Sequence, residues 1–228
     1  MKRAPRPRLR PAAVIFDMDG LMLDTERLAP LAWQDAATAM GVEFDMALIA
    51  PMIGRNFRDC QSIITAHYGA GFPVAEMMRA WHVAYDAIVE RDGIVIKPGL
   101  HALLDWLEAE GIAKAVATST RRDRAQAKLA QTALLPRFSA LVGGDEVTHG
   151  KPAPDIFLAA AQRLAQHPAH CLVLEDSEPG VRAALAAGMT PIMVPDMHLP
   201  SAALAALEPL VLASLADVAA HLAPLPRT

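Results

Sequence analysis

Two aspartates separated by one residue stand directly after a short apolar run near the start of the chain. The run is Ala12 to Phe16, and Asp17 and Asp19 follow it, with Gly20 next. Because alternate residues of an extended chain point to the same side, both carboxylates can project together from the end of a strand. Two neighbouring carboxylates repel each other, and Mg²⁺, which prefers hard oxygen ligands, would remove that cost. The pattern predicts a metal site, although an Asp-x-Asp-Gly stretch is by itself equally typical of a turn.

Further polar residues stand where later apolar stretches end. Thr118 and Ser119 close one such stretch, Glu175 and Asp176 close another, and Lys151 lies in a Gly-Lys-Pro loop between them. Since the carboxyl ends of parallel strands meet at one edge of a sheet, we expect these side chains to gather there. A phosphate monoester suits this set, because its oxygens need donors, a cation and a metal. Plainer interpretations exist for each group: a helix cap, a solvated lysine and carboxylates that cap the next helix.

The elements that must position these residues alternate between strand and helix from Pro98 onwards. Such alternation predicts a parallel sheet with right-handed crossovers. With the first run, the predicted strands are five, the later ones being 112–117, 139–142, 171–174 and 191–194. Helices are predicted between them at 100–110, 121–131, 154–166, 179–187 and 215–222. Residues 26–92 show only helical periodicity, with helices predicted near 26–40, 45–52, 57–68 and 74–90, which indicates an all-helical insertion after the first strand.

Composition restricts the class of protein. The chain has 228 residues and a net charge of -4, which gives no general reason to expect nucleic acid or an anionic membrane as a partner. The basic start is interpreted as a flexible, solvated tail, residues 1–11. Cys60 and Cys171 are far apart and belong to no CxxC pair, so a reducing cytoplasm is expected rather than a disulfide or zinc framework. The expected assembly is a monomer or weak dimer.

Four motifs together resemble the haloacid dehalogenase-type phosphohydrolases, in the subgroup with a helical cap after the first strand. They are FDMDGLMLDTE at 16–26, the strand end at Thr118, GKPAPDIF at 150–157 and LEDS at 174–177. The chain is similar to the β-phosphoglucomutase-like and phosphoglycolate phosphatase-like members. The resemblance implies an α/β fold with a Rossmann-like parallel sheet, helices on both faces and a small, mobile, all-helical cap. The core would comprise residues 12–25 and 93–228, and the cap residues 26–92.

The resemblance also assigns roles to residues of the motifs. Asp17 would be the nucleophile that forms an aspartyl-phosphate, and Asp19 the general acid and base. Thr118, Ser119 and Lys151 would bind the phosphoryl group. The residues assigned to Mg²⁺ are Asp17, Asp19 through its backbone carbonyl, Asp176 and, as a second carboxylate near the metal, Glu175. The implied function is a Mg²⁺-dependent phosphatase acting on a small phosphorylated metabolite, and sugar phosphates are among the candidate substrates.

The cap is expected to select the substrate. Glu26 stands at the entrance to the cap, and Arg55 and Asn56 lie in a loop between helices where family members place substrate-contacting residues. Arg55 could pair with a second anionic group, and a solvated surface arginine is an equally good interpretation. Glu26 has its own plain alternative, which is charge pairing at a helix N-terminus.

A hexose phosphate mutase is the alternative enzyme, and a non-catalytic phosphometabolite-binding protein is a third. β-Phosphoglucomutases carry a histidine shortly after the first motif and an arginine in the cap loop that grips a second phosphate. Ala29 and Phe57 stand at those positions here, with Arg58 adjacent. Because a mutase must grip two phosphates and protect its aspartyl-phosphate from water, their loss favours a phosphatase.

Overall fold

One parallel sheet of six strands forms the centre of the computed structural model, which describes residues 3–226. The strands are β1 (Ala13–Phe16), β2 (Ala113–Ala117), β3 (Ala140–Val142), β4 (Cys171–Glu175), β5 (Thr190–Met193) and β6 (Leu210–Val211). Their order across the sheet is β3-β2-β1-β4-β5-β6. The predicted Rossmann-like fold is confirmed. The sixth strand was not predicted, because two residues are too short to show any periodicity.

Strand β1 lies in the middle of the sheet because its side chains are apolar on both faces. All four of its residues have no exposed surface. Val14 and Phe16 point into one apolar cluster, and Ala13 and Ile15 point into the cluster on the opposite face. A strand buried on both faces reads as an uninterrupted apolar run, which is how this segment appears in the sequence.

Ten helices lie in the described part of the chain, and they divide between the core and the cap. Their bounds are α1 (Leu28–Met40), α2 (Ile49–Met52), α3 (Phe57–Tyr68), α4 (Val74–Asp92), α5 (Leu100–Ala109), α6 (Arg122–Gln131), α7 (Asp155–Arg163), α8 (Glu178–Ala186), α9 (Ala202–Ala205) and α10 (Leu215–Leu222). Helices α5, α6 and α10 cover the face of the sheet that holds Val14 and Phe16, whereas α7 and α8 cover the other face. The short α9 was not predicted, since four residues span only one turn.

Helices α1 to α4 have an apolar core of their own, which includes Trp33, Ile64 and Met77. The two segments that join this unit to the sheet run side by side: the Asp24 amide donates to the Val95 carbonyl at 2.8 Å, and a second backbone bond of 2.9 Å joins the same two segments. Both connections therefore lie close to the carboxyl end of β1. The boundaries of the cap at 26–92, and its movement as a unit, stay predictions.

The last part of the basic N-terminal segment, around Arg10, is bound to the core and is not a solvated tail. Arg3, Arg6 and Arg8 are exposed as predicted, whereas the Arg10 side chain is only 19% exposed. Its guanidinium donates to two backbone carbonyls at the end of α10, at 2.5 and 3.1 Å, and pairs with Glu110. Arg10 thus attaches the segment before β1 to the last helix. Residues 1 and 2 of the predicted tail lie outside the described part of the chain.

No helix within residues 3–226 combines the length and the hydropathy that a membrane span requires.

Candidate active site

The register of the central strands brings the predicted site residues to one edge of the sheet. Phe16 lies opposite Val116 on β2 and opposite Leu174 on β4. The residues that follow these three positions therefore emerge together, and Asp17 donates its amide to the Leu174 carbonyl at 3.0 Å. Thr118 comes two residues beyond Val116, at the same edge. The polar residues that follow β1, β2 and β4 therefore lie at one edge of the sheet, as the sequence pattern predicts.

Lys151 is the buried cation of the site. Its side chain is 1% exposed, and its ammonium donates to Asp17, to Glu175 at 2.6 Å and to the Ala117 carbonyl at 3.3 Å. The ring of Phe157 lies beneath it, with 5.0 Å from the nitrogen to the ring centroid. A lysine this deeply buried must be held by its partners, because desolvation alone would favour its neutral form. Asp17 and Glu175 raise the pKa of Lys151 above its ordinary value despite that desolvation.

The carboxyl group of Asp17 has one bound oxygen and one free oxygen. Oδ1 accepts from Lys151, whereas Oδ2 has no hydrogen-bond donor among the described residues, and Asp17 lines the cavity between core and cap. Burial raises the pKa of Asp17 to about 7, with Glu175 and Asp19 adding to the rise and Lys151 opposing it. The free oxygen is thus the part of this side chain that can reach a ligand in the cavity.

Asp19 is held by donors on both of its oxygens. Oδ1 accepts from Thr25 at 2.6 Å and from Lys128 at 2.6 Å, and Oδ2 accepts from Thr120 at 2.7 Å and more weakly from Thr118 at 3.5 Å. Burial by itself would raise the pKa of Asp19, but the charge and the hydrogen bond of Lys128, with those of the threonines, outweigh it and hold the pKa below its ordinary value. In this arrangement Asp19 is a carboxylate.

The segment after β2 contributes hydroxyl groups with different roles. The Thr118 hydroxyl is buried and accepts the Thr120 amide at 3.1 Å, which shapes the turn. The Ser119 hydroxyl, predicted to bind phosphate, donates to the Gly54 carbonyl of the cap at 2.8 Å. Ser119 therefore joins the core to the cap loop through its side chain, and a phosphate contact by Ser119 stays a prediction.

Asp176 has a buried carboxyl group that lies beside Gly20, in the loop after β1. It is 7% exposed, and no hydrogen bond to its carboxylate is found among the described residues. Its Oδ2 lies so close to Gly20 that a Cβ there would come within 2.4 Å of it, so glycine is needed for this approach. Burial, Glu175 and Asp17 together raise the pKa of Asp176 well above its ordinary value.

Glu175 differs from Asp176 in having partners for both of its oxygens. Oε1 accepts from Lys151, and Oε2 accepts from the Ser177 amide at 3.0 Å and the Ser177 hydroxyl at 2.8 Å. The side chain is fully buried. Glu175 therefore fixes both the lysine and the turn that leads into α8.

Within residues 3–226, no three His, Cys, Asp or Glu side chains surround a common cation position.

The three predicted cap residues occupy different surroundings. Glu26 lines the cavity, and its carboxyl group has no hydrogen-bond partner among the described residues; burial, together with Asp19 and Asp17, raises its pKa to about 8. Arg55 also lines the cavity and donates to the Pro51 carbonyl at 2.9 Å. Asn56 is the N-cap of α3, accepting the Asp59 amide at 2.9 Å. A substrate contact by any of the three stays a prediction.

The cavity between core and cap measures about 170 Å³ and is mostly apolar on its cap side. Both Ala29 and Phe57 are part of its wall, whereas Arg58 points to the core and donates to the Thr148 carbonyl at 3.3 Å. The two ends of the cavity differ in chemistry: Asp17 and Asp19 line the core end, whereas the cap end is lined mainly by aliphatic and aromatic side chains, with Glu26, Arg55 and His82 among them.

The sequence did not predict four residues of the site: Thr25 and Thr120, which bind Asp19, and Lys128 and Tyr85. Lys128 on α6 contacts Asp19, and Tyr85 on α4 lies under the Lys128 ammonium, 4.8 Å from the nitrogen to the ring centroid. The one available signal was weak: Lys128 is a lysine adjacent to Leu129, a buried position of a helix that follows directly after the Thr118 strand end. Tyr85 gave no signal, because aromatic residues in a helix ordinarily belong to the core.

Comparisons with known proteins show which family and fold the chain resembles. A family model described as a haloacid dehalogenase-like hydrolase matches residues 11–188. The chain is 35% identical over 186 residues to the fructose-1-phosphate phosphatase YqaB of Escherichia coli (strain K12), covering 81% of this chain and 97% of that protein. It is 33% identical over 183 residues to the β-phosphoglucomutase of Bacillus subtilis (strain 168), covering 78% of this chain and 80% of that protein. A solved hydrolase from Pseudomonas syringae superposes with a TM-score of 0.80 at 26% identity, over 94% of this chain and 99% of that chain.

Proposed function

The chain belongs to the haloacid dehalogenase-like hydrolases and is a phosphatase of a small phosphorylated metabolite, and we propose that it works through an aspartyl-phosphate on Asp17 with Mg²⁺ as its cofactor. The observation that carries this proposal is the state of Asp17. One of its oxygens is fixed by a buried lysine, and the other is free at the core end of the cavity. A carboxylate held in one orientation, with one free oxygen facing a substrate, meets the geometric requirement for a nucleophile.

In the first half-reaction, the free oxygen of Asp17 attacks phosphorus and the bond from phosphorus to the leaving oxygen breaks. The leaving oxygen takes a proton from Asp19, so an alcohol departs and the aspartyl-phosphate forms. In the second half-reaction, Asp19 accepts a proton from water, which attacks the same phosphorus and frees Asp17 and inorganic phosphate. Asp19 is a carboxylate while Lys128 and the threonines bind it, so it must first turn from these donors and take up a proton from solvent before it delivers that proton to the leaving oxygen.

Lys151 supports this chemistry by position and by charge. Its ammonium orients Asp17 and lies where it can offset negative charge on the phosphoryl oxygens. Phosphoryl transfer depends mainly on such positioning and electrostatic stabilisation. Glu175 in turn holds Lys151, so we assign Glu175 to the support of the lysine rather than to direct contact with a metal.

The charges at the core end of the cavity fit a divalent cation. Asp17 and Asp176 supply hard oxygen ligands, no hydrogen-bond donor to the Asp176 carboxylate is found within residues 3–226, and Gly20 leaves room for this carboxylate beside the loop after β1. We propose that these two carboxylates and the backbone carbonyl of Asp19 would hold the cation. When bound, Mg²⁺ would neutralise charge on the phosphoryl group. The residues Asp17, Glu175 and Asp176 outnumber Lys151, which is the imbalance that such a cation would correct.

A mutase is the less well supported enzyme. The relative from Bacillus subtilis is named a β-phosphoglucomutase, so the similarity alone does not separate the two reactions. The cavity wall does favour hydrolysis, because Ala29 and Phe57 offer no group to grip a second phosphate and Arg58 is turned toward Thr148.

Both cysteines, Cys60 and Cys171, are free thiols, which suits a protein of the reducing cytoplasm. We propose that location, with a monomer or weak dimer as the assembly.

Metal removal tests the proposed cofactor. We expect EDTA treatment followed by gel filtration to reduce phosphate release from a panel of phosphorylated metabolites to background, and added Mg²⁺ to restore it. The reason is that the buried carboxylates of Asp17 and Asp176 repel a phosphate dianion until a cation compensates them. Asp176→Asn should raise the Mg²⁺ concentration for half-maximal activity about 10-fold or more. Full activity in protein shown by elemental analysis to be free of metal would disprove the metal assignment.

A further inference from the structure

Three side chains form a polar corner beside Asp19: Thr25, Tyr85 and Lys128. Thr25 and Lys128 both donate to Asp19 Oδ1 at 2.6 Å, and Lys128 lies over the Tyr85 ring. The corner joins the two units of the protein, because Lys128 belongs to α6 of the core and Tyr85 to α4 of the cap. One turn away, Arg124 pairs with Asp86 across the same boundary. The polar corner is therefore completed only when α4 lies against α6.

The Tyr85 hydroxyl is the unsatisfied group of this corner. Tyr85 is 4% exposed, and its Oη makes no hydrogen bond of acceptable geometry with any described residue, although Lys128 and Thr25 lie near it. A buried hydroxyl without a partner is destabilising, because its lost hydration is not compensated. Lys128 also has donor capacity to spare, since an ammonium has three N–H groups and Asp19 accepts one. Two donors in the corner thus await an acceptor from the cavity.

Most of the remaining cap side of the cavity is apolar. Its wall is formed mainly by the side chains of Ala29, Trp33, Ile49, Met52, Ile53, Phe57, Met78 and Trp81, and Glu26, Arg55 and His82 are its polar members. A leaving group that enters this cavity would meet mainly apolar surface, with the polar corner as the group of donors next to Asp19. Because Asp19 must reach the ester oxygen, an acceptor in the corner would lie on an atom close to that oxygen.

We propose that Tyr85 and Lys128 are specificity-determining residues that bind a hydroxyl group of the leaving alcohol next to its ester oxygen. The substrate class is then the phosphomonoester of a small vicinal diol or polyol. This inference rests on the proposed function, because it concerns the leaving group of that reaction. A neutral hydroxyl fits better than a carboxylate, since Asp17, Asp19 and Glu26 already place acidic groups at this end of the cavity.

The test compares matched substrates that differ by one vicinal hydroxyl. The first pair is 1,2-propanediol 1-phosphate and n-propyl phosphate. The second pair is 2-hydroxyphenyl phosphate and phenyl phosphate, which are aryl esters and have better leaving groups than the first pair. For each pair, the selectivity is the ratio of kcat/KM for the hydroxylated ester to that for the plain ester. Wild type is expected to prefer the hydroxylated member, and Tyr85→Phe should reduce the ratio about 5- to 10-fold, as expected for one lost hydrogen bond. Lys128→Met should reduce the ratio as well, with a loss of kcat on both members because Lys128 also holds Asp19.

The control is Tyr68→Phe, which removes a tyrosine hydroxyl from the cap where it accepts the Asp45 amide and does not line the cavity. We expect its selectivity to equal that of wild type. If wild type lacks the preference, or if Tyr85→Phe keeps the wild-type ratio on both pairs, the corner holds no substrate hydroxyl and the inference is wrong. That failure differs from a failure of the proposed function, in which wild type with Mg²⁺ would release phosphate from none of the four esters.

Discussion

Asp17→Asn is expected to lower phosphate release by about 10⁴-fold or more, because the amide keeps the shape of the side chain but is not a nucleophile. The loss should appear in kcat, since Thr118 and Lys151, the proposed phosphoryl-binding residues, are untouched. The fold should remain intact, because the substitution is isosteric and removes one charge from a region where Glu175 and Asp176 also lie. The measurement is steady-state phosphate release with saturating Mg²⁺, alongside circular dichroism and urea denaturation.

The matched control for this variant is Asp105→Asn, an aspartate of α5 that pairs with Arg137 on the outside of the core. It should retain wild-type turnover, which separates the loss of a catalytic carboxylate from the general effect of replacing an aspartate. Wild-type phosphate release by folded Asp17→Asn protein would remove Asp17 from the mechanism.

Lys151→Met is expected to act on stability and on turnover together. The substitution leaves Asp17 and Glu175 buried without their cation, and breaking a buried ion pair in this way costs about 3 to 5 kcal/mol. Turnover should fall about 10³-fold in the fraction that remains folded, because both the orientation of Asp17 and a charge near the phosphoryl group are lost. Urea denaturation and initial rates at a temperature well below the transition measure the two effects.

Lys114→Met is the control that separates these effects. Lys114 is also a buried lysine, but it lies near the opposite end of β2 and pairs with Glu108 at 3.2 Å. It should lose stability and keep the turnover of wild type per folded molecule. If Lys151→Met behaved in the same way as this control, the lysine would be structural and its proposed role at the phosphoryl group would be wrong.

The sequence predicted those parts of the molecule that depend on local pattern. Uninterrupted apolar runs identified the buried strands, and glycine after Met40, Glu110 and Ala187 marked ends of helical segments. Because a parallel sheet aligns its carboxyl ends, the pattern was sufficient to predict that Asp17, Thr118 and Asp176 gather at one edge. The parts that were missed, β6 and α9, are too short to have a period.

The sequence could not predict contacts that depend on how the cap lies on the core. The hydroxyl of Ser119 bonds to Gly54, and the ammonium of Lys128 lies over Tyr85, and both pairs are distant in the chain. No periodicity records such pairs. Arg10 was interpreted as solvated for the same reason, since its acceptors at the end of α10 lie more than 200 positions away.

The stereochemical course at phosphorus tests the covalent mechanism most directly. The substrate would be a phosphorothioate monoester made chiral with sulfur, ¹⁶O and ¹⁸O and hydrolysed in water labelled with ¹⁷O, so that the released thiophosphate carries four different ligands and its configuration can be determined. Two successive in-line displacements, first by Asp17 and then by water, invert the configuration twice, so we expect net retention. A single direct attack by water would give net inversion, and that result would contradict an aspartyl-phosphate on Asp17 whether or not the intermediate accumulates.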